Sequence, residues 1–322
     1  MKWKSNILVA VSLMVLAACS GGHDDGPSHR GNQQGGQQQG GQGGQQGDPS
    51  GDYVVFSPTL QPFNNSETNF DAPFQSGDEI SVFAITSNQN GKLNNQGNYA
   101  DNVRYTYNGS RFEPASVGIR LPSQQQSLSY YAVYPYSTQA RNEMTFSVQT
   151  NQSTLKGYNA SDLRTAYTVD ANASIANLQF YHSLCQVCAT IESEKGIRNQ
   201  QVQMTLQVPF QANVNVEADT YPATGNAATI SMYYDSKTNR HFAIVPPQKL
   251  GKSERFLTIA YNGMLYDVEF YDDVVFQSNT QHQLTISFDP DEQGNLRAVG
   301  FVGQINPWEG AGTRAVSASA HP

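Results

Sequence analysis

The chain has 322 residues, of which 38% are hydrophobic, 11% aromatic and only 14% charged, with a formal net charge of -8. That apolar content is enough for about two domains with cores and excludes wholesale disorder. Basic clusters are lacking, which excludes a nucleic-acid binder, and the lack of sustained Ala/Glu/Lys/Leu heptads argues against a long helical protein.

The first segment is an address. Lys2 and Lys4 precede an apolar run over residues 7–17, followed by Ala18 and Cys19. A basic start, an apolar stretch of about 11 residues and small residues before a processing point predict a signal peptide over residues 1–18. The stretch is too short to span a bilayer comfortably. Leu16-Ala17-Ala18-Cys19 resembles a bacterial lipoprotein box, which predicts acylation of Cys19, palmitate included. Loss of residues 1–18 leaves 17 basic residues against 27 acidic ones, so the acyl chains rather than charge would hold the protein on outer-membrane lipid.

Asp24 and Asp25 resemble the surface-export signal of Bacteroidota lipoproteins, and His23 beside them reads as solvated tail. Residues 31–47 are Gly or Gln except Asn32. Such a segment cannot offset its ordering entropy, so residues 19–52 are expected to be a disordered tether reaching about 30 Å.

From Tyr53 onward, short apolar alternations are separated by Gly, Pro, Asn and Asp. The pattern recurs at residues 53–56, 80–85, 104–107, 117–121, 130–136 and 146–148, and predicts sandwiches or barrels. Asn108-Gly109 marks a hairpin, and Pro122, Pro135 and Pro209 mark strand ends or edges. The alternations at residues 201–208, 266–270 and 281–288 have one dry and one wet face, as in antiparallel sandwiches. A short helix is expected around residues 161–166, capped by Ser161. Leu178, Phe180, His182 and Leu184 share one face, whereas Cys185, Val187, Ala189 and Ile191 share the other. A bulge or a strand passing between two sheets produces such a phase change. The expected division is therefore residues 53–176 and 177–312, each an antiparallel β-sandwich, followed by a polar tail over residues 313–322.

Catalytic signatures are scarce. Cys185-Gln-Val-Cys188 would place its Cα atoms about 10 Å apart in a strand, too far for an unstrained disulfide. A structural zinc site needs two more ligands and a second CxxC is absent, so both Cys are expected in the core. The six His show no ligand spacing, and no nucleophile elbow, zinc helix or phosphate loop occurs. No metal or cofactor is expected, and no enzymatic activity. Tyr131 and Tyr134 within residues 130–136 could stack on sugars or fill the core; filling the core is the plainer expectation.

Several elements together resemble a known family. Residues 77–84, Gly-Asp-Glu-Ile-Ser-Val-Phe-Ala, are similar to the GD-x-I-x-V-F-A element of fimbrillin-like proteins of Bacteroidales. Residues 131–136 look like their Y-A-x-Y-P-Y strand, Ser161-Asp162-Leu163 their S-D-L, residues 178–184 their L-x-F-x-H-x-L, and residues 305–308 their closing I-x-x-W.

The resemblance implies two transthyretin-like β-sandwich domains and a lipoprotein that builds or decorates type V pili on the cell surface. In stalk subunits of that family a protease cuts after an Arg and removes the first strand, and a neighbour's C-terminal strand fills the groove. Here Val299, Phe301 and Ile305 alternate as a donor strand would, or as an ordinary last strand. The only Arg before Arg104 is Arg30, which lies in the tether ahead of the first strand. That departure favours an anchor, accessory or tip subunit over a stalk subunit. The expected partners are other pilus subunits, outer-membrane lipid through Cys19, and surface glycans or proteins. The alternative is a monomeric glycan-binding surface lipoprotein that uses Tyr131 and Tyr134.

Overall fold

The computed structural model describes residues 53–302, except residues 67–72, 87–88, 90–91, 123–125, 195, 253 and 291–295. Cys19, Asp24, Asp25, Arg30, the tether and Ile305 therefore lie outside the described residues.

Period-two alternation governs the chain, and the fold is all-β. The first strands are β1 (Val55–Leu60), β2 (Glu79–Thr86), β3 (Ala100–Tyr107), β4 (Phe112–Pro114) and β5 (Leu128–Tyr134). With β7 (Arg164–Ala171) and β8 (Ile175–His182) they close into a barrel of order β1-β4-β3-β2-β5-β7-β8. The closing strand is β1, parallel to β8 on one side and antiparallel to β4 on the other.

A second, ten-stranded sheet holds β9 (Cys185–Ile191), β10 (Gln203–Asn215), β11 (Ala223–Ser231), β12 (Tyr233–Asp235) and β13 (Arg240–Val245). It also holds β15 (Leu257–Tyr261), β16 (Met264–Phe270), β18 (Gln281–Pro290) and β19 (Leu296–Val302), in the order β11-β10-β15-β16-β19-β18-β9-β13-β12. Its tenth strand, β6 (Glu143–Ser147), pairs with the far half of β10. A small ladder joins β14 (Gln248–Leu250) to β17 (Val274–Phe276).

The phase change before Cys185 has a plain cause. The chain leaves the barrel at His182 and enters the second sheet at Cys185, so β8 and β9 are consecutive strands of different sheets. β9 is buried on nearly every residue because it lies inside its sheet with both faces covered. Cys185 and Cys188 are free thiols in that buried strand, and Cys185 Sγ lies 2.9 Å from the Val245 carbonyl.

Two expectations need correction. The helix α1 spans Leu155–Ser161 and is capped by Thr154, whose hydroxyl accepts from Gly157 N. Ser161 ends the helix instead, donating to the Gly157 carbonyl and accepting from Gln149 N. Residues 117–121 form an isolated bridge, Arg120 to Tyr53, rather than a strand. Gly118 is pressed so closely against Tyr53 and Pro114 that a Cβ there would overlap both. Pro209 stands within β10 at a register shift, between the stretch paired to β15 and the stretch paired to β6. An imino acid without an N–H is tolerated at such an irregularity.

Two apolar clusters form. Phe56, Ile80, Val82, Tyr105, Phe112, Tyr130 and Phe180 fill the barrel. The alternate residues of β2 and β5, namely Phe83, Ile85, Tyr131 and Val133, point out of the barrel and join the core of the second sheet. β2 and β5 are thus dry on both faces.

Candidate strand-exchange site

β1 closes the barrel, and a strand in that position can be exchanged only by opening it. Val55–Leu60 runs in register with Ile175–Phe180. Phe56 is fully buried between Tyr105 and Tyr130, with ring centroids at 4.9 and 5.0 Å, both edge-on. Tyr105 supports the entry to the strand: its hydroxyl donates to the Val54 carbonyl at 3.0 Å and accepts from Ile119 N at 2.9 Å. Burial pushes the Tyr105 phenol up to about 12, so it remains a donor. Removing β1 would bare the edges of β8 and β4 and empty the sites of Val54 and Phe56. Such a slot accepts a strand by main-chain hydrogen bonds, with alternate side chains filling pockets.

The chain beyond β1 is fastened as firmly. Gln61 N donates to the Phe180 carbonyl at 2.9 Å. Asn64 forms a bridge to Thr280, exchanging hydrogen bonds with Asn279 and Gln281 at the start of β18. Between them Phe63 stacks on His182, with centroids 3.6 Å apart and planes at 14°. His182 Nδ1 donates to Asp162 Oδ1 at 2.7 Å, and Asp162 Oδ2 accepts from Arg164 at 2.7 Å. The Arg164 guanidinium lies over the rings of Phe74 and Tyr134, at 5.0 and 5.1 Å. Tyr134 in turn donates to Asp78 Oδ1 at 3.4 Å.

Phe63, Tyr134, Asp162, Arg164 and His182 are buried, and Phe74 and Asp78 are half-buried. Burial by itself would raise the Asp162 pKa, but the charges and hydrogen bonds of Arg164 and His182 outweigh it and hold the carboxyl below its usual range. Burial, with Asp78 reinforcing it, pushes the Tyr134 phenol up to about 12. Asp78 shapes its own turn: Oδ2 accepts from Gln75 N at 2.8 Å, beside Gly77 at φ 96°. Four separated sequence elements, around Gly77-Asp78, Tyr134, Asp162 and His182, therefore meet at one junction.

The matched family is described as fimbrillin-like, and its model covers residues 66–308. The chain belongs to the fimbrillin-like family. This fimbrillin-like chain is also similar to two solved structures, both candidate cell adhesion proteins. One, from Bacteroides ovatus, has 14% identity and a TM-score of 0.61, covering 78% of this chain and 96% of that one. The other, from Bacteroides uniformis, has 17% identity and a TM-score of 0.54, covering 80% of this chain and all of that one. At such identities the likeness is one of fold. No curated protein matches the chain by sequence.

The other expected site residues are placed as follows. Tyr131 is 4% exposed and stacked on Tyr167 at 4.4 Å, and Tyr134 is 7% exposed against Arg164. Their rings face protein, which leaves no sugar platform. Val299 is buried and Phe301 is 49% exposed, both in β19, which is paired to β16 and β18 within its own sheet. The clasp at Phe63 has no sequence signal, because an aromatic residue in a Pro- and Asn-rich stretch carries no period.

Proposed function

We propose that this chain is a surface-exposed, non-catalytic lipoprotein subunit of a fimbria, serving as anchor, accessory or tip rather than as repeating stalk, and contributing to adhesion. The observation that carries the reading is the fastening of β1. The strand closes the barrel, and the chain leaving it is clasped by His182 and by the start of β18. Arg30, the only Arg before Arg104, precedes the strand, so a cut there would free the protein from lipid and leave the barrel closed. A subunit that keeps its first strand has no slot for a neighbour's strand and suits the end of a fibre or its attachment.

Its engagement with other subunits then falls to its C-terminal end. β19 is the last described strand, and Val299, Phe301 and, beyond it, Ile305 are the donor residues proposed. The buried Asp162–His182 pair is shielded by Phe63 and tied to Arg164, which supports structural work rather than acid–base chemistry. Acylation at Cys19 with export directed by Asp24 and Asp25 is the proposed route to the outer-membrane surface. Immunogold labelling of fibres tests the position: label at ends or bases supports the reading, and label along the shaft contradicts it.

A further inference from the structure

One cavity lies away from β1, β19 and the junction. It has a volume of about 380 Å³ and opens between the loop after β9 and the β12–β13 hairpin. Ile191 and Ile197 give it an apolar floor. Its walls are polar: Ser193, Arg198, Gln200, Tyr234, Ser236 and Asn239. No carboxylate lines it among the described residues, and Arg198 is the one charged side chain there.

Both lips are held in advance of any ligand. On one side the Asn199 side-chain oxygen accepts from Ile191 N at 2.8 Å, and the Asn199 main-chain carbonyl meets His241 Nε2 at 3.0 Å. On the other, Asp235 Oδ2 accepts from Thr238 N and Oγ1 at 2.8 and 2.7 Å, which closes the hairpin turn. The Tyr234 hydroxyl donates to Asn239 Oδ1 at 3.0 Å, so the Asn239 amide presents its Nδ2 donor. His241 backs the Tyr234 ring at 5.1 Å. Rigid walls lower the ordering cost of binding.

We infer that this cavity binds the terminal pyranose of a glycan. Its volume is at the small end of ligand sites, about 300–1,000 Å³. Paired amides and hydroxyls match a polyhydroxylated ring, the tyrosine offers a stacking surface, and Arg198 selects a sugar acid over its neutral counterpart. The site is independent of strand exchange, since none of its residues belongs to β1, β19 or the Phe63 clasp.

The test is a glycan array probed with the full chain. The array carries terminal neutral hexoses, N-acetylhexosamines and uronic or sialic acids, and the best hit is titrated by calorimetry. Tyr234→Ala and Arg198→Ala are each expected to weaken that hit by at least about tenfold, with an unchanged thermal midpoint. Tyr234→Phe, which keeps the ring, is expected to weaken it less. Added salt is expected to weaken the acid sugar more than the neutral one. Val169→Ser, on exposed barrel surface, is the control and leaves binding intact. The proposal is overturned if the wild-type chain binds nothing on the array, or if binding survives both Tyr234→Ala and Arg198→Ala.

Discussion

Asp162 holds Arg164 through one carboxylate oxygen and His182 through the other, each at 2.7 Å. A buried ion pair need not add stability overall, but deleting one partner strands the other charge. Asp162→Ala is therefore expected to cost about 3–5 kcal/mol in urea unfolding, with Asp162→Asn milder because an amide still accepts a hydrogen bond. The folded carboxyl titrates below its unfolded value of 3.8. The stabilisation it gives is present above that pH and is lost as pH falls through the lower folded value. Asp162→Asn should flatten the stability profile in that strongly acid range; an unchanged profile would show that the charge is not used.

His282 acts in a different window. Burial lowers its pKa from 6.5 to about 4, and its Nε2 accepts from Gln277 N at 2.7 Å. Between those values the unfolded state binds a proton that the folded state does not. Stability therefore rises with pH across the window and falls as pH drops from 6.5 towards 4. The His282 share is on the order of 3 kcal/mol. His241, also lowered by burial, adds to the same trend. Urea midpoints at pH 7, 5 and 4 should converge for His282→Gln relative to wild type.

The all-β class was legible in the alternation of strands such as β10 and β18, where one face is apolar and the other Gln-rich. The break before Cys185 was legible too, since a chain that passes from a strand of one sheet to a strand of another changes which alternate residues are dry. The clasp at Phe63 and the closure of the barrel by β1 were not. Both rest on contacts across long sequence separations, such as Asn64 with Thr280, and local periodicity carries no record of them. Tyr131 shows the limit on one residue: an alternating tyrosine is compatible with a binding face or a second core, and only the packing of the barrel on the second sheet decides.

Phe63 should be the fastening of β1. Phe63→Ala removes a buried ring stacked on His182 and is expected to cost about 3–5 kcal/mol. More tellingly, amide exchange in Val55–Leu60 should accelerate more than exchange in β10. Equal acceleration everywhere would mean global destabilisation without a local clasp.

β19, the last described strand, is held by a close approach. A Cβ on Gly300 would overlap the Phe270 ring and lie 2.8 Å from Val268 Cγ1. Gly300→Ala is thus expected to cost about 1–3 kcal/mol by overpacking, read from a thermal melt. Ser287 and Val299 are paired across β18 and β19, so a Ser287→Cys/Val299→Cys disulfide would lock β19 in place. If β19 is donated, the oxidised variant folds but does not enter fibres, and reduction restores entry. Equal incorporation of the oxidised form would remove β19 as donor.

Retention of β1 is the central claim, and mass spectrometry of fibres sheared from the cell surface tests it most directly. Trypsin cuts after Arg30 and next after Lys92, so one peptide, residues 31–92, carries both β1 and the Phe63 clasp. Recovery of that peptide intact from assembled fibres is the predicted result. Recovery of fibres in which the chain begins after Leu60 would contradict the account.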